Sequence, residues 1–321
     1  MLIICRVNGT EPEIWIGDLM LIADRLHNKA EEMTFRELNS IVEDNGLRLF
    51  SKSRLSDVIL KNEFLPREIF DFYTRAHVDF VVTDQQTKPM FIVEYDGPFH
   101  VDARQIQRDQ KKDDLCSSAG LGVLRINANH VTRKFRGISI LRWVIEVTEL
   151  EKSFYDAQKA GHVPWDESFD PAMIFDDGKG KKWPYWLSAT ATQRLNDFAS
   201  KGRMEKGGWA NITGRDDKQN WHDLSFCWFE NSVIWSQTGV KNQSFQFPAF
   251  DLLKEIAICE LDLKVQEYQK GERQPVSGAQ FQNICERFCN RYNAHPSHSF
   301  TCGGSAPFQF SWNSSSGWKF S

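Results

Sequence analysis

Two short runs of strand-forming residues follow one another in the first third of the chain, and each carries carboxylates that a buried strand has no ordinary use for. HVDFVVTD (77–84) is rich in β-branched and aromatic residues and ends in the polar turn DQQTKP. PMFIVEYDG (89–97) is the second run, stopped by Gly97 and Pro98. Alternate residues of a strand face the same way, so Glu94 and Asp96 share a side with Ile92, while Phe91, Val93 and Tyr95 take the other. Asp79 stands between Val78 and Phe80. An unpaired carboxylate costs several kcal/mol to bury. A shared Mg²⁺, with Mn²⁺ able to substitute, removes that cost, because hard cations take carboxylate oxygens at short range. Asp79 and Glu94 are therefore the expected metal ligands. His100 follows the turn GPF and is placed to work beside the ion rather than to ligate zinc, since no second His or Cys stands near it.

The flanking sequence supplies the rest of a mixed sheet. Residues 31–46 have Phe35, Leu38, Ile41 and Val42 at helical spacing, and 47–59 reads as extended or mixed structure. A helix is expected over 102–120, with Asp102 as its N-cap and Gly120 as its stop. Gln105, Asp109 and Lys112 share one face of it, with Ile106 and Leu115 on another. Lys112, or its neighbour Lys111, can reach the acidic pair from there. LGVLRINANH (121–130) is a third strand, apolar on both faces, and 138–155 closes the unit as a helix.

The run VDFVV, FIVEYDGPFH, QRDQKKDDLCSSAGLGVLRI resembles the PD-(D/E)XK nuclease superfamily, in its branch similar to very-short-patch repair endonucleases, over roughly residues 45–130. That branch shows an Asp on one strand, an acidic residue followed by D-G-x-x-H on the next, a polar helix, and an apolar-Arg pair matched by Leu124, Arg125 and Ile126. The resemblance implies an α/β restriction-endonuclease-like domain over residues 1–155 and metal-dependent hydrolysis of phosphodiesters. Asp79 and Glu94 would hold the cation, with the Tyr95 carbonyl. The motif lysine is replaced by Asp96, so His100 or a helix lysine would take the role of base. Asp96 would orient His100 or bind a second cation.

Composition shifts after this unit. Residues 156–182 are rich in Asp, Gly, Lys and Pro and read as a linker, and nine of the eleven tryptophans lie beyond residue 160. Short β-like runs (WLSATATQRLNDF, GWANITGR, LSFCWF, SVIWSQTG, QSFQFPAF) and helices over 249–269 and 278–292 give residues 183–321 as an α+β domain on a bent sheet or barrel. Trp209, Asn211, Trp221, His222 and Asp223 fall close together, and aromatic and amide side chains can stack on and read an extruded base. The domain order resembles that of modification-dependent restriction enzymes acting on hydroxymethylcytosine DNA, some on its glucosylated form, whose second domain is SRA-like. That resemblance implies a flipped base held by Trp209 and Asn211, with Asp223 at its edge. Core packing is the ordinary fate of a strand tryptophan, and remains the alternative. Cys285, Cys289, His295, His298 and Cys302 raise zinc, although the apolar helix face already accounts for the first two.

Charge bears on the partner. Residues 1–150 hold 20 Lys and Arg against 23 Asp and Glu, and the remainder 19 against 20, so neither half has the basic excess that marks tight sequence-blind DNA binding, and local basic patches, a bound divalent cation and a specific pocket must serve. The N-terminal run reads as a strand rather than a signal peptide, no apolar run reaches membrane-spanning length, and seven dispersed cysteines fit a reducing cytoplasm. The expectation is a homodimeric restriction endonuclease cutting double-stranded DNA that carries modified cytosine. A monomeric mismatch-directed nicking enzyme, or a DNA-binding module with a decayed nuclease core, are the alternatives.

Overall fold

The computed structural model describes residues 25, 27–60, 64–97, 103–171, 185–202, 204, 209–229, 232–294, 300–301, 310–313 and 317–320. The first helix, α1 (Lys29–Asp44), begins at a capping box: the Asn28 side chain accepts from the Ala30 and Glu31 amides, and Glu31 accepts from the Asn28 amide at 3.0 Å. Leu38, Ile41 and Val42 form its buried face, as their spacing predicts. After it come β1 (Arg48–Arg54), the single turn α2 (Leu55–Val58), α3 (Arg67–Arg75), β2 (His77–Thr83), β3 (Pro89–Tyr95), α4 (Ala103–Ser118) and β4 (Gly122–Ile126). The strands lie in the order β1-β2-β3-β4, antiparallel except for the parallel β3–β4 pair, which α4 connects. This is the expected mixed sheet flanked by helices.

Its two faces are both apolar. Phe80, Val82, Phe91, Val93, Leu124 and Ile126 pack with α1 and with Trp143 of α6 (Ile140–Lys159). Val81, Ile92 and Val123 pack with Cys116 of α4 and with Leu55 and Tyr73. The third strand is shorter than its apolar run suggests. It ends at Ile126 because Asn127 caps the short helix α5 (Ala128–Thr132), its side chain accepting from the Asn129 amide at 3.0 Å. Between α5 and α6, β5 (Lys134–Phe135) and β6 (Ile138–Ser139) form a hairpin whose two turn residues, Arg136 and Gly137, both have left-handed φ.

The second unit is α+β. The elements are α7 (Ala189–Ser200), β7 (Trp209–Arg215), β8 (Trp221–Phe229), β9 (Ser232–Val240), α8 (Ala249–Gln269), β10 (Val276–Ser277), α9 (Gly278–Arg291), β11 (Asn293–Ala294), β12 (Phe300–Thr301), and the strand pair β13 (Phe310–Asn313) and β14 (Gly317–Phe320). Its antiparallel sheet runs β10-β9-β8-β7-β11, with β12 also on β7, and curls as a half-barrel. Two expected strands are corrected here. Within 186–198 the chain is helical, because Ala191, Leu195 and Phe198 recur at helical spacing and are buried together.

The second correction concerns residues 243–247, which form no strand of the second sheet and lie against the open edge of β4. Gln243 accepts from the Arg125 amide at 2.6 Å, Ser244 from the Val123 amide at 3.0 Å, and the Phe245 amide donates to the Val123 carbonyl at 3.3 Å. A Cβ on Gly122 would stand 3.0 Å from the Phe245 Cα, so glycine is what permits this approach. The two sheets also share one apolar cluster, in which Tyr185, Leu187, Trp221, Val240, Phe245 and Leu253 join Leu38, Phe91 and Trp143. Of the expected linker, the start belongs to α6, which runs to Lys159, and residues 172–182 lie outside the described residues. Among the described residues no helix is long and apolar enough to cross a membrane.

Glu255 of α8 accepts from the Ser188 amide at 2.7 Å, and burial pushes its pKa up to about 7. A carboxylate raised above its unfolded value of 4.5 favours the fold most below that pH, loses this contribution as pH rises to about 7, and costs stability above it. Glu255→Gln is therefore expected to raise unfolding free energy by roughly 1–3 kcal/mol at pH 8, at about 1.4 kcal/mol per pKa unit. The gain should vanish near pH 4.5. Urea titrations at both pH values check it, and a gain independent of pH would assign the effect to packing instead.

Candidate active site

The β2–β3 ladder pairs Val82 with Phe91, Val81 with Ile92 and Phe80 with Val93, and the backbone pairing of the two strands ends there. At the next position two carboxylates take over the bonding. Asp79 Oδ2 accepts from the Tyr95 amide at 3.0 Å, and Glu94 Oε1 lies 3.4 Å from the Asp79 amide. Strand alternation puts both side chains on the α4 side of the sheet, with Val81 and Ile92. The two acids expected to cooperate are thus neighbours across the end of a hairpin.

Lys112 of α4 completes the group. Its Nζ lies 2.8 Å from each Glu94 oxygen, and both side chains are almost fully buried. Burial pushes the Glu94 carboxyl above its ordinary range, Lys112 opposes that shift, and the Asp79 charge adds to it. The ammonium beside Glu94 thus comes from the helix and not from its own strand, where Asp96 follows Tyr95. Lys111 turns the other way, to Glu68 of α3.

Asp96 belongs to an adjoining cluster. The Arg125 guanidinium stands 3.1 Å from Asp96, 2.8 Å from Asp113 and 3.7 Å from Asp109, and Gln105 donates to Asp109 at 3.1 Å. Burial works against the Arg125 charge, but hydrogen bonding and attraction to these acids more than offset it and raise its pKa above the ordinary value. Arg125 lies opposite Glu94 in the parallel register, so the cluster forms one wall of the site.

Sequence reading missed two members. Lys52 of β1 stands 3.2 Å from Asp79 Oδ1 and 2.6 Å from Glu31 Oε1 on α1. Neither residue carries a local signal, because their nearness to Asp79 depends on β1 pairing with β2 and on how α1 docks. His100 lies outside the described residues. At the same end of β3 but on the opposite face of the sheet, between α1 and α5, a groove of about 1410 Å³ is lined by Tyr95 and by the basic residues Arg25, His27, Lys29, Arg36 and Lys134, against Glu32 and Glu37. This is a local basic patch on a chain whose net charge is −4.

Of the residues expected to hold a base, Trp209, Asn211, Trp221 and Asp223 share one face of the curled sheet by alternation, and His222 takes the other. Asp223 is wholly buried, accepting from Asn211 at 2.6 Å, Thr213 at 2.8 Å and Ser225 at 2.5 Å. Burial pushes its carboxyl up, and these three donors oppose the shift. Trp221 packs on Phe250 and lies under the Arg215 guanidinium, 3.7 Å from the ring centre. His222 pairs with Asp216 at 3.1 Å and stacks on Tyr292. Cys285 is buried in the α9 face, Cys289 is half-buried, and His295, His298 and Cys302 lie outside the described residues.

Comparison with known proteins adds position rather than activity. Residues 23–139 match the model of a family described as a protein of unknown function (DUF2726). That span takes in α1 and all four strands of the mixed sheet, and with them Glu31, Lys52, Asp79, Glu94 and Lys112. An uncharacterized protein of Haemophilus influenzae is 25% identical over 125 residues, 38% of this chain. The match spans 64% of that relative's length. No solved structure matches the chain.

Proposed function

We propose that this chain is a metal-dependent nuclease that hydrolyses phosphodiester bonds of double-stranded DNA. The observation that carries the reading is the meeting of Asp79, Glu94 and Lys112 at the end of a hairpin, on the face of a mixed sheet that a helix covers. A structural salt bridge needs one carboxylate and one ammonium. Here two strand carboxylates are held by backbone amides, Asp79 by that of Tyr95 and Glu94 by that of Asp79, and each has a lysine beside it.

The donor set fits a hard cation, since both carboxylates offer oxygens from adjacent strands. Among the described residues no three His, Cys, Asp or Glu side chains converge as a metal site, so the acids are two and further ligands would be the backbone and water. When bound, such an ion would polarise the phosphoryl group and acidify a water. Lys112, fixed by both oxygens of Glu94, presents its ammonium to charge that develops on the phosphate. His100 is the base assigned to the attacking water, whose oxygen bonds to phosphorus as the bond to the leaving oxygen breaks. The basic groove beside Tyr95 offers cations to the flanking backbone phosphates. Selection of modified cytosine is assigned to the curled sheet, through Trp209 and Asn211.

The test is digestion of matched duplexes carrying cytosine, methylcytosine, hydroxymethylcytosine or its glucosylated form, with Mg²⁺ and with EDTA. Cleavage that needs the metal, and that prefers a modified substrate, is expected. A preparation that cuts none of the four overturns the reading. Linearised rather than merely relaxed plasmid is expected from a homodimer, and relaxation alone would favour the nicking enzyme. Lys112→Met is expected to slow single-turnover cleavage by about 10²–10³, the loss typical of one preorganised donor; an unchanged rate would leave Lys112 a structural partner of Glu94.

A further inference from the structure

The second lysine of the site has a different setting from the first. Lys52 lies within β1, between the paired positions Ser51–Phe80 and Ser53–Val78. Its φ is 53°, a left-handed value uncommon for a side-chain-bearing residue and kept here with regular pairing on either side. Strain confined to one residue of an otherwise regular strand points to a use for that residue. The Lys52 side chain is 39% exposed, whereas Lys112 is 12% exposed. Lys112 has both oxygens of one carboxylate, but Lys52 divides its ammonium between two, Glu31 and Asp79. Glu31 is itself anchored, because its other oxygen accepts from the Asn28 amide at 3.0 Å at the start of α1.

Resting on the nuclease reading, we propose that Lys52 is a phosphate-binding residue of this site, held on Asp79 until a divalent cation takes that carboxylate, with Glu31 as the tether. An ammonium and a doubly charged ion compete for one carboxylate, and the smaller, more highly charged ion prevails. Lys52 then loses one of its two partners and keeps the other. Its exposed ammonium faces the solvent side where the scissile phosphate must arrive, so the positive charge removed from Asp79 is delivered to the substrate. Glu31 is a positioning residue in this scheme, since it touches Lys52 and not the phosphate. The two lysines divide the work: Lys112 is fixed and Lys52 is released by the ion.

The test uses the full chain with Lys52→Gly, because glycine accepts the left-handed backbone without strain. Manganese affinity without DNA is read by the paramagnetic signal of free Mn²⁺. Cleavage is read under single turnover at saturating Mg²⁺, with and without added ethylamine, and thermal unfolding reports the fold. The variant is expected to bind Mn²⁺ several-fold more tightly, having lost the competing charge, yet to cleave about 10²-fold more slowly. Ethylamine should restore part of the rate. Cleavage at the wild-type rate, or Mn²⁺ affinity unchanged or weakened in a variant that unfolds normally, would overturn the assignment of Lys52. Absence of cleavage by the wild-type chain would instead remove the nuclease reading and this role with it, so the two failures are told apart. Glu31→Gln supplies the control for the tether: it should raise KM for DNA more than it lowers kcat, and an equal fall in kcat alone would count against it.

Discussion

Glu94→Gln is expected to abolish DNA cleavage, lowering the single-turnover rate by at least about 10³, while the fold persists. The magnitude follows from the several kcal/mol that a bound cation contributes to charge stabilisation, at about 1.4 kcal/mol per tenfold in rate. Glutamine keeps the shape and one carbonyl oxygen but loses the charge that would hold the ion beside Asp79. Burial already pushes the Glu94 carboxyl toward its neutral form, so the desolvation cost that glutamine spares offsets much of the cost of leaving the Lys112 ammonium without its anion, and the amide oxygen still accepts from it. The melting temperature should therefore stay within a few degrees of wild type. A variant that cuts within tenfold of the parent would end the two-carboxylate proposal, whereas one that fails to fold would be replaced by Asp79→Asn, whose carboxylate is more exposed.

Arg125→Ala should have the largest effect on stability. Its guanidinium answers Asp96, Asp109 and Asp113 at once, and truncation leaves three carboxylates crowded around a vacancy. Removing one partner of a buried ion cluster costs about 3–5 kcal/mol, and the partial exposure of these acids places the loss near the lower end. Urea denaturation measures it. Arg125→Lys should recover only part, since an ammonium cannot reproduce the forked contacts to Asp96 and Asp113. A loss below about 1 kcal/mol, the scale of a surface pair, would mean the acids are hydrated and the cluster contributes little.

Much of the mixed sheet was legible because its signals are local. Strand alternation gave Glu94 its side of β3, and helical spacing in α4 left Lys112 or Lys111 to reach it, but only the β2–β3 register sets Asp79 on the same face. Asp96 shows the limit of that logic. Alternation gives its side of the sheet, but its partner is Arg125, on a strand 29 residues later, and only the parallel register brings the two together. Lys52 and Glu31 were beyond reach for the same reason, being joined to the site by pairing and docking rather than by spacing. In the second unit, 186–198 misled because aromatic and β-branched residues outweighed the Ala191, Leu195, Phe198 repeat. His222 misled because adjacency in sequence to Asp223 means opposition in a strand.

Residues 243–245 bind β4 through one glutamine side chain, one serine hydroxyl and one backbone amide. A first half expressed alone would bare that strand's amides and carbonyls along with the apolar surface beneath Phe245, a template on which copies stack edge to edge. Truncation after α6 is thus a route to aggregates rather than to a separable first unit. The same short seam gives the far sheet a lever, because pulling Gln243 away would slacken the backbone from which Arg125 marshals its three acids.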